Sequence, residues 1–220
     1  MRVAVVSDIH GNITAFEAVL ADLRSMSPDL VLHGGDLADS GSGPREVVDC
    51  IRALGWPGVV GNTDQTVFAP ETIETVPPAF RGIVSDFASA TRDSLGEDRI
   101  AWLRDLPQVQ HHEVFTLFHA SPDSPWRALA DDDPGTPGRL VVYGHIHKPI
   151  VRGGVINTGS VSLSYDGDPR ASYLLIDNGA PVIRRVEYDV AKESKALLDR
   201  RMPHAEWIAA MLSAGRFIMP

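Results

Sequence analysis

Seven side chains that can bind a metal ion follow apolar segments at five places in the sequence. The segments read AVVSDIH, LVLHGGD, GVVGN, VFTLFH and LVVYGHIH, and each is mainly apolar until its polar end. The candidates are Asp8, His10, Asp36, Asn62, His119, His145 and His147. Carboxylate, amide and imidazole groups together suit Mn²⁺, Fe, Zn²⁺, Ni²⁺ or Co²⁺ better than Ca²⁺, which prefers oxygen throughout. The pattern therefore indicates transition-metal chemistry.

The segments that carry these side chains belong to strands and helices that alternate in the first half of the chain. The predicted elements are a strand at 2–6, a helix at 14–26, a strand within SPDLVLHGGD, a helix from Pro44 to Leu54, a strand in PGVVGN ending at Gly61, and helices at 79–95 and 98–105. This alternation is typical of a doubly wound unit. Because the carboxyl ends of strands lie along one edge of such a sheet, residues that are distant in sequence converge there.

Short strands follow one another closely in the second half of the chain. They are predicted at residues 113–118, 139–143, 154–157, 171–177 and 181–188. Several leave too little room for crossover helices, so we expect a more mixed sheet. The last segment, about residues 190–220, is predicted to be helical on either side of Pro203. No linker is evident, and we expect a single domain over residues 1–220.

Each candidate ligand taken alone has a structural explanation. Asp8 could cap the helix that follows it, and Asp36 and Asn62 could be turn residues beside glycines. His119 could be a hydrogen-bonded histidine at a strand end. Metal binding is favoured by the joint placement of all seven residues at strand ends.

Composition limits the classes of partner. The 220 residues carry a net charge of −9 and an isoelectric point near 5.3, which argues against binding duplex nucleic acid. No apolar run approaches the roughly 18 residues of a membrane span, and the N-terminus lacks the core of a signal peptide. We therefore expect a soluble cytoplasmic protein with no membrane partner. Cys50, the only cysteine, is expected to be inert.

Five motifs in order, DIH, GGD, GN, FHAS and GHIH, resemble those of the calcineurin-like metallophosphoesterase superfamily. The stretch SDIHGN is most similar to its small bacterial and archaeal phosphodiesterase-type branch. The resemblance spans about residues 2–165. It implies an α/β fold, a four-layer α/β/β/α sandwich of two facing mixed sheets with flanking helices.

The resemblance also implies a binuclear metal centre. It divides the seven candidates into Asp8, His10 and His147 for the first ion, Asn62, His119 and His145 for the second, and Asp36 as the bridge. Asp36, Asn62 and His119 are also expected to be catalytic. Mn²⁺ is the first expectation among the transition metals named above.

Two cations about 3.5–4 Å apart would generate a bridging hydroxide near neutral pH and hold phosphoryl oxygens for in-line attack. The leading hypothesis is therefore a metal-dependent phosphoesterase, most simply a phosphodiesterase, that acts on a small or nucleotide-like phosphoester. Thr63 stands where many members of the superfamily have a histidine thought to protonate the leaving group. Because threonine cannot act as that acid, slow turnover is expected on poor leaving groups.

Three other functions remain open: a protein phosphatase, a dinucleoside polyphosphate hydrolase, or a non-catalytic scaffold of the same fold. All seven candidate positions are filled, which argues against the scaffold. The sequence does not indicate the oligomeric state.

A few further residues have open roles. His33 and the histidines at 111–112 could replace the missing acid, although structural or surface roles are favoured. Asp64 either holds a ligand histidine or is a solvated turn carboxylate. In the loop between two ligand segments, Trp126 could contact a ring of the substrate and Arg127 a phosphate, or the tryptophan could be packed and the arginine solvated.

Overall fold

Two mixed β-sheets face each other in the computed structural model, which describes residues 1–220. The strands are β1 (Arg2–Val6), β2 (Leu30–His33), β3 (Val109–His111), β4 (Phe115–Phe118), β5 (Leu140–Tyr143), β6 (Ile150–Arg152), β7 (Val155–Asn157), β8 (Ala171–Asp177) and β9 (Ala180–Val186). One sheet has the order β2-β1-β8-β9 and the other β3-β4-β5-β7-β6.

Seven α-helices accompany the sheets. They are α1 (Ile13–Met26), α2 (Pro44–Leu54), α3 (Asn62–Phe68), α4 (Pro78–Leu95), α5 (Glu97–Arg104), α6 (Val190–Asp199) and α7 (Ala205–Ala214), with a 3₁₀ helix at Pro70–Thr75. All of the predicted helices are present, whereas α3 and the 3₁₀ helix were not predicted. None of these helices combines the length and apolar character needed to cross a membrane.

The strand pairing confirms the prediction of an α/β fold with two facing mixed sheets. Strand β1 is parallel to β2, which makes the predicted βαβ unit with α1, but β1 is antiparallel to β8 on its other side. The expectation of a doubly wound arrangement in the first half is therefore wrong. In the second sheet β4, β5 and β7 run parallel, and β3 and β6 are antiparallel edges.

The core between the sheets follows from the alternation of side chains along each strand. Val3 and Val5 of β1 pack with Phe115 and Leu117 of β4, while Ala4 and Val6 face the helices. A slip by one residue would turn this buried face outward, so the register is strongly specified. The register in turn determines where each strand ends and where the polar residues that follow are placed.

Residues 57–62 do not form the predicted third strand. Only Gly58 forms a β-bridge, to His33 of β2. The N–H group of Val60 donates to the carbonyl of Pro107 and so does not extend the pairing with β2. Strands β3 and β6 were missed for a different reason, since three residues are too few to show a period.

The C-terminal helices are tied to the loop that follows β2. As predicted, α6 and α7 lie on either side of Pro203. The carboxylate of Glu193 in α6 is buried and accepts hydrogen bonds from the hydroxyl of Thr14 at 2.7 Å and from the backbone N–H of Ser42 at 2.9 Å. This contact holds the loop that lies beside the candidate site.

Candidate metal centre

All seven predicted ligand residues converge where strands of both sheets end. They follow β1 (Asp8 and His10), β2 (Asp36), β4 (His119) and β5 (His145 and His147), and Asn62 is the first residue of α3. The side chains form two adjoining groups.

The first group contains two carboxylates and two imidazoles. Ligand atoms of Asp8, His10, Asp36 and His147 all lie within 4.8 Å of one another. Nε2 of His147 is 3.1 Å from Oδ1 of Asp8 and 3.2 Å from Nε2 of His10. Nε2 of His10 is 3.7 Å from Oδ2 of Asp36. All four residues are at most 5% exposed, so little water reaches these contacts.

The second group adjoins the first through the same aspartate. Oδ1 of Asn62 is 2.9 Å from Nε2 of His119 and 2.9 Å from Nδ1 of His145. Nε2 of His119 is also 3.4 Å from Oδ2 of Asp36. One carboxylate oxygen is therefore near both groups.

The spacing of these atoms fits coordination to a small cation. Two ligand atoms held about 2.1 Å from one ion, at an angle of roughly 90–110°, lie about 3.0–3.4 Å apart. The separations above range from 2.9 Å to 3.7 Å. When the histidine rings are neutral, most of these atoms are hydrogen-bond acceptors, as the ring orientations show. Hydrogen bonds between them therefore do not account for the short separations.

The histidine rings turn lone pairs toward each other. Nδ1 of His10 donates to the carboxylate of Asp39, and Nδ1 of His147 donates to the carbonyl of Leu163 at 2.6 Å. In a neutral ring the other nitrogen then carries a lone pair. With both rings neutral, the two Nε2 atoms, 3.2 Å apart, are both acceptors, so this contact favours a shared proton or a metal cation. The donor set therefore fits a divalent ion.

His119 has the same arrangement. Its Nδ1 donates to the carbonyl of Gly34 at 2.8 Å, so in the neutral ring its Nε2 has a lone pair on the side of Asn62 and Asp36. Outer hydrogen bonds of this kind fix the orientation of a metal-binding histidine and select its tautomer.

Nearby carboxylates raise the pKa of two histidines of the site, whereas burial and His119 lower the pKa of His145 to about 4. Burial lowers the pKa of His119, but the Asp36 carboxylate acts in the opposite direction and the pKa is raised to about 9. Burial also lowers the pKa of His10, but the Asp39 carboxylate outweighs this effect and the pKa of His10 is raised to about 10. Burial raises the pKa of Asp36, yet His119 and His10 hold it far below its usual range. At His10 and His119 the pocket thus favours positive charge, which metal ions can supply in place of protons.

The backbone at the site is held in an uncommon conformation. Five of the seven candidates have positive φ: Asp8 (56°), His10 (50°), Asp36 (53°), His145 (69°) and His147 (56°). For residues with a Cβ, this left-handed region costs about 1–2 kcal/mol per residue. Such strain concentrates at functional sites, where the surrounding fold imposes it.

A family model described as the calcineurin-like phosphoesterase superfamily domain matches residues 1–179, a segment that contains all seven candidates. The chain belongs to the calcineurin-like phosphoesterase superfamily. The resemblance inferred from the five motifs is confirmed, and the chain is a hydrolase of phosphoric esters from a superfamily that uses divalent metal ions.

Similar proteins extend the likeness to nearly the whole chain. A metallophosphoesterase from Sphaerobacter thermophilus is 28% identical, with a TM-score of 0.82 over 98% of this chain and 99% of that chain. A hypothetical protein from Pyrococcus horikoshii OT3 has the same fold, with 20% identity and a TM-score of 0.83 over 99% of both chains. An uncharacterized protein of Methanocaldococcus jannaschii is 30% identical over 97% of this chain and 98% of its own length.

Two carboxylates support this phosphoesterase site: Asp39, which sequence reasoning missed, and Asp64, whose role the sequence left open. Asp39, three residues after Asp36, bonds to His10, and the spacing D-x-x-D was the available signal. Asp64 is 1% exposed and accepts from the backbone N–H groups of Asp36, Leu37 and Gly61 at 2.8, 2.9 and 3.1 Å. It therefore holds backbone, rather than the ligand histidine or the solvent that the sequence left open. Burial and the charge of Asp36 raise its pKa to about 7.

Close backbone approach explains two glycines of the motifs. A Cβ on Gly61 would meet the carboxylate and backbone nitrogen of Asp36, and a Cβ on Gly144 would meet the side chains of Asp8 and Ser7. Glycine is required at both positions of this chain because the carboxylate of a candidate ligand occupies the space of a side chain.

The other residues with open roles lie outside the site or at its rim. His33 is fully buried, and neither of its ring nitrogens has a hydrogen-bond partner. The N–H group of Thr63 donates to Oδ1 of Asp36 at 2.9 Å. The indole N–H of Trp126 donates to Gln65 at 2.7 Å, so this tryptophan is anchored by a protein contact.

Proposed function

We propose that this phosphoesterase binds two divalent metal ions and hydrolyses small phosphodiesters. The proposed ligands are Asp8, His10 and His147 for one ion, Asn62, His119 and His145 for the other, and Asp36 for both. Mn²⁺ is the proposed ion because the set mixes imidazole nitrogens with carboxylate and amide oxygens.

The observation that carries the binuclear proposal is the position of Asp36. Its Oδ2 lies 3.7 Å from Nε2 of His10 and 3.4 Å from Nε2 of His119. One ion would need only one of the two groups, whereas a shared carboxylate oxygen between two complete groups suits a pair of ions.

Hydrogen bonds from the chain's own residues orient the proposed metal ligands. Bound divalent ions would supply positive charge for the phosphoryl oxygens and lower the pKa of the attacking water. The Asp39 carboxylate and the carbonyls of Gly34 and Leu163 hold the three histidine rings at Nδ1. Asp64 and the N–H group of Thr63 hold Asp36. This preorganisation lets the protein bind ions without rearranging its side chains.

A diester fits the charges around the site better than a monoester. Arg127 is the only lysine or arginine that lines the cavity containing the site, and it is exposed and paired with Asp123. A monoester dianion would receive little cationic help from the protein, whereas a diester carries one negative charge. Thr63 supplies no acid, so esters with good leaving groups should react fastest.

The test combines metal content with hydrolysis. For protein loaded with Mn²⁺, we expect two ions per chain and faster hydrolysis of bis(p-nitrophenyl) phosphate than of p-nitrophenyl phosphate. Asp36→Asn should bind fewer than two ions and lose at least about 100-fold in kcat/KM. Asp132→Asn is the matched control, since it makes the same change at an exposed loop position and should keep full activity. One ion per chain at saturation, or an active Asp36→Asn variant, would contradict the proposal.

A further inference from the structure

The cavity that contains the metal centre extends well beyond it. It has a volume of about 480 Å³ and includes His10, Asn62, His145 and His147 in its wall. Away from these residues the wall is mainly apolar, and most of its apolar side chains come from two segments that are distant in sequence. Its main members, here called the apolar chamber, are Phe80, Ile83 and Phe87 of α4 and Trp207, Met211 and Phe217 of α7 and the tail after it.

We propose that the apolar chamber binds an ester group of the substrate and that this group is a hydrocarbon rather than a nucleoside. The inference depends on the proposed function, since the phosphoryl group must lie at the metal centre for the ester group to reach the chamber. It names a substrate class that the superfamily membership leaves open.

The chamber is continuous with the metal centre through one residue. The ring of Tyr165 stacks on the ring of His147, with centroids 4.6 Å apart, and meets Phe217 edge to face at 5.6 Å. A substrate with its phosphorus beside His147 therefore has an apolar surface directly next to it. A cavity of this volume is in the range of sites for small organic ligands.

The two indole N–H groups along the chamber are already used, which disfavours a nucleobase. The indole N–H of Trp207 donates to the carbonyl of Ile218 at 2.8 Å, and that of Trp126 donates to Gln65 at 2.7 Å. A nucleobase presents several donors and acceptors, and burying them without partners is costly. A hydrocarbon group has no such requirement.

The aromatic rings of the chamber also pack on one another. Phe87 stacks on Trp207 at 6.4 Å, and Phe217 lies edge to face with Trp207 at 6.1 Å and with Phe80 at 6.2 Å. Phe217 nevertheless remains 42% exposed. Apolar surface beside a metal centre therefore stays in contact with water until a ligand covers it, and this supplies a driving force for binding hydrocarbon.

The test uses methyl-, butyl- and hexylphosphonate, which have the same charged end and differ only in chain length. With the Mn²⁺-loaded protein, we expect Kd from titration calorimetry to fall about fourfold per added methylene until the chamber is filled. The heat-capacity change should become more negative with chain length, because apolar burial has that signature. Adenosine monophosphate should bind no more tightly than butylphosphonate.

Two variants separate the chamber from general hydrophobicity. Phe217→Ser should reduce the gain per methylene, whereas Val182→Ser, which removes a 48% exposed apolar side chain of β9, should keep it. Equal Kd values for the three phosphonates, or tighter binding of adenosine monophosphate, would overturn the inference while leaving the metal centre intact. If no phosphonate binds although the Mn²⁺-loaded protein hydrolyses bis(p-nitrophenyl) phosphate, the inference alone is overturned. If phosphonate binding and diester hydrolysis are both absent, the proposed function fails, and this inference with it.

Discussion

The carboxylate of Asp64 accepts a hydrogen bond from the backbone N–H of Asp36 at 2.8 Å. The residue whose oxygen lies near both groups of proposed ligands is therefore held by a buried acid at the start of α3. Because Asp36 has a positive φ of 53°, its backbone needs such support.

Replacement of Asp64 by asparagine should weaken both the fold and metal binding. The amide has one acceptor oxygen for three backbone N–H groups, and its NH₂ would face donors. Hydrogen bonds to charged groups contribute about 1.5–3 kcal/mol each, so we expect a loss of roughly 2–4 kcal/mol in the free energy of unfolding. The affinity for Mn²⁺ should fall about 10- to 100-fold.

Urea unfolding of metal-free protein and titration calorimetry with Mn²⁺ provide these two measurements. Asp132→Asn again serves as the control. Unchanged metal affinity in Asp64→Asn would show that Asp36 does not depend on this contact.

A methyl group on Gly61 should damage the site, although alanine is a small residue. Its Cβ would collide with the side chain and backbone nitrogen of Asp36. We expect Gly61→Ala to lower stability and to weaken Mn²⁺ binding. At Gly82 in α4 a Cβ would meet nothing within 4 Å, so Gly82→Ala should raise stability by about 0.5–1 kcal/mol. Thermal unfolding of both variants with and without Mn²⁺ measures the contrast, and similar behaviour of the two would argue against a close approach at Gly61.

Backbone strain at His145 should be visible in the metal-free protein. His145 has a φ of 69°, a conformation that glycine adopts freely and alanine does not. We therefore expect His145→Gly to be more stable than His145→Ala by about 1 kcal/mol. Ser85 on the exposed face of α4 should show the reverse order, because glycine is unfavourable in a helix. Urea unfolding gives both differences, and the same order at the two positions would remove the case for strain.

His33 should make stability depend on pH. Burial lowers the pKa of His33 to about 3, whereas the unfolded chain titrates near 6.5. Between these values the unfolded state binds the additional proton, so stability rises with pH, by up to about 1.4 kcal/mol per pH unit.

The variant His33→Leu removes this contribution and also the two unpartnered ring nitrogens. It should be more stable than the parent protein, with the advantage growing as pH falls from 6.5 to 4.5. Urea unfolding of metal-free protein across that range tests it. A difference between the two proteins that stays constant with pH would show that His33 does not titrate as expected.

The sequence by itself was sufficient for the elements with a clear period and for the types of the candidate ligands. Alternation in β1 and helical spacing in α1 and α2 are local properties, because a buried face repeats every 2 or 3.6 residues. The rule that polar residues at strand ends meet at one edge then brought Asp8, Asp36 and His119 into one site. Superfamily membership was also predictable, since it depends on short motifs in order.

Packing between distant segments was decided only by the tertiary structure. Gly58 makes a single bridge where a strand was predicted, and β8 joins the first sheet from the far end of the chain. The sequence left the role of Asp64 open, and the structure shows it bonded to the backbone of Asp36. The apolar chamber joins α4 to α7, so no local pattern could show it. Period and motif describe neighbours along the chain, whereas these contacts depend on where the whole core places each element.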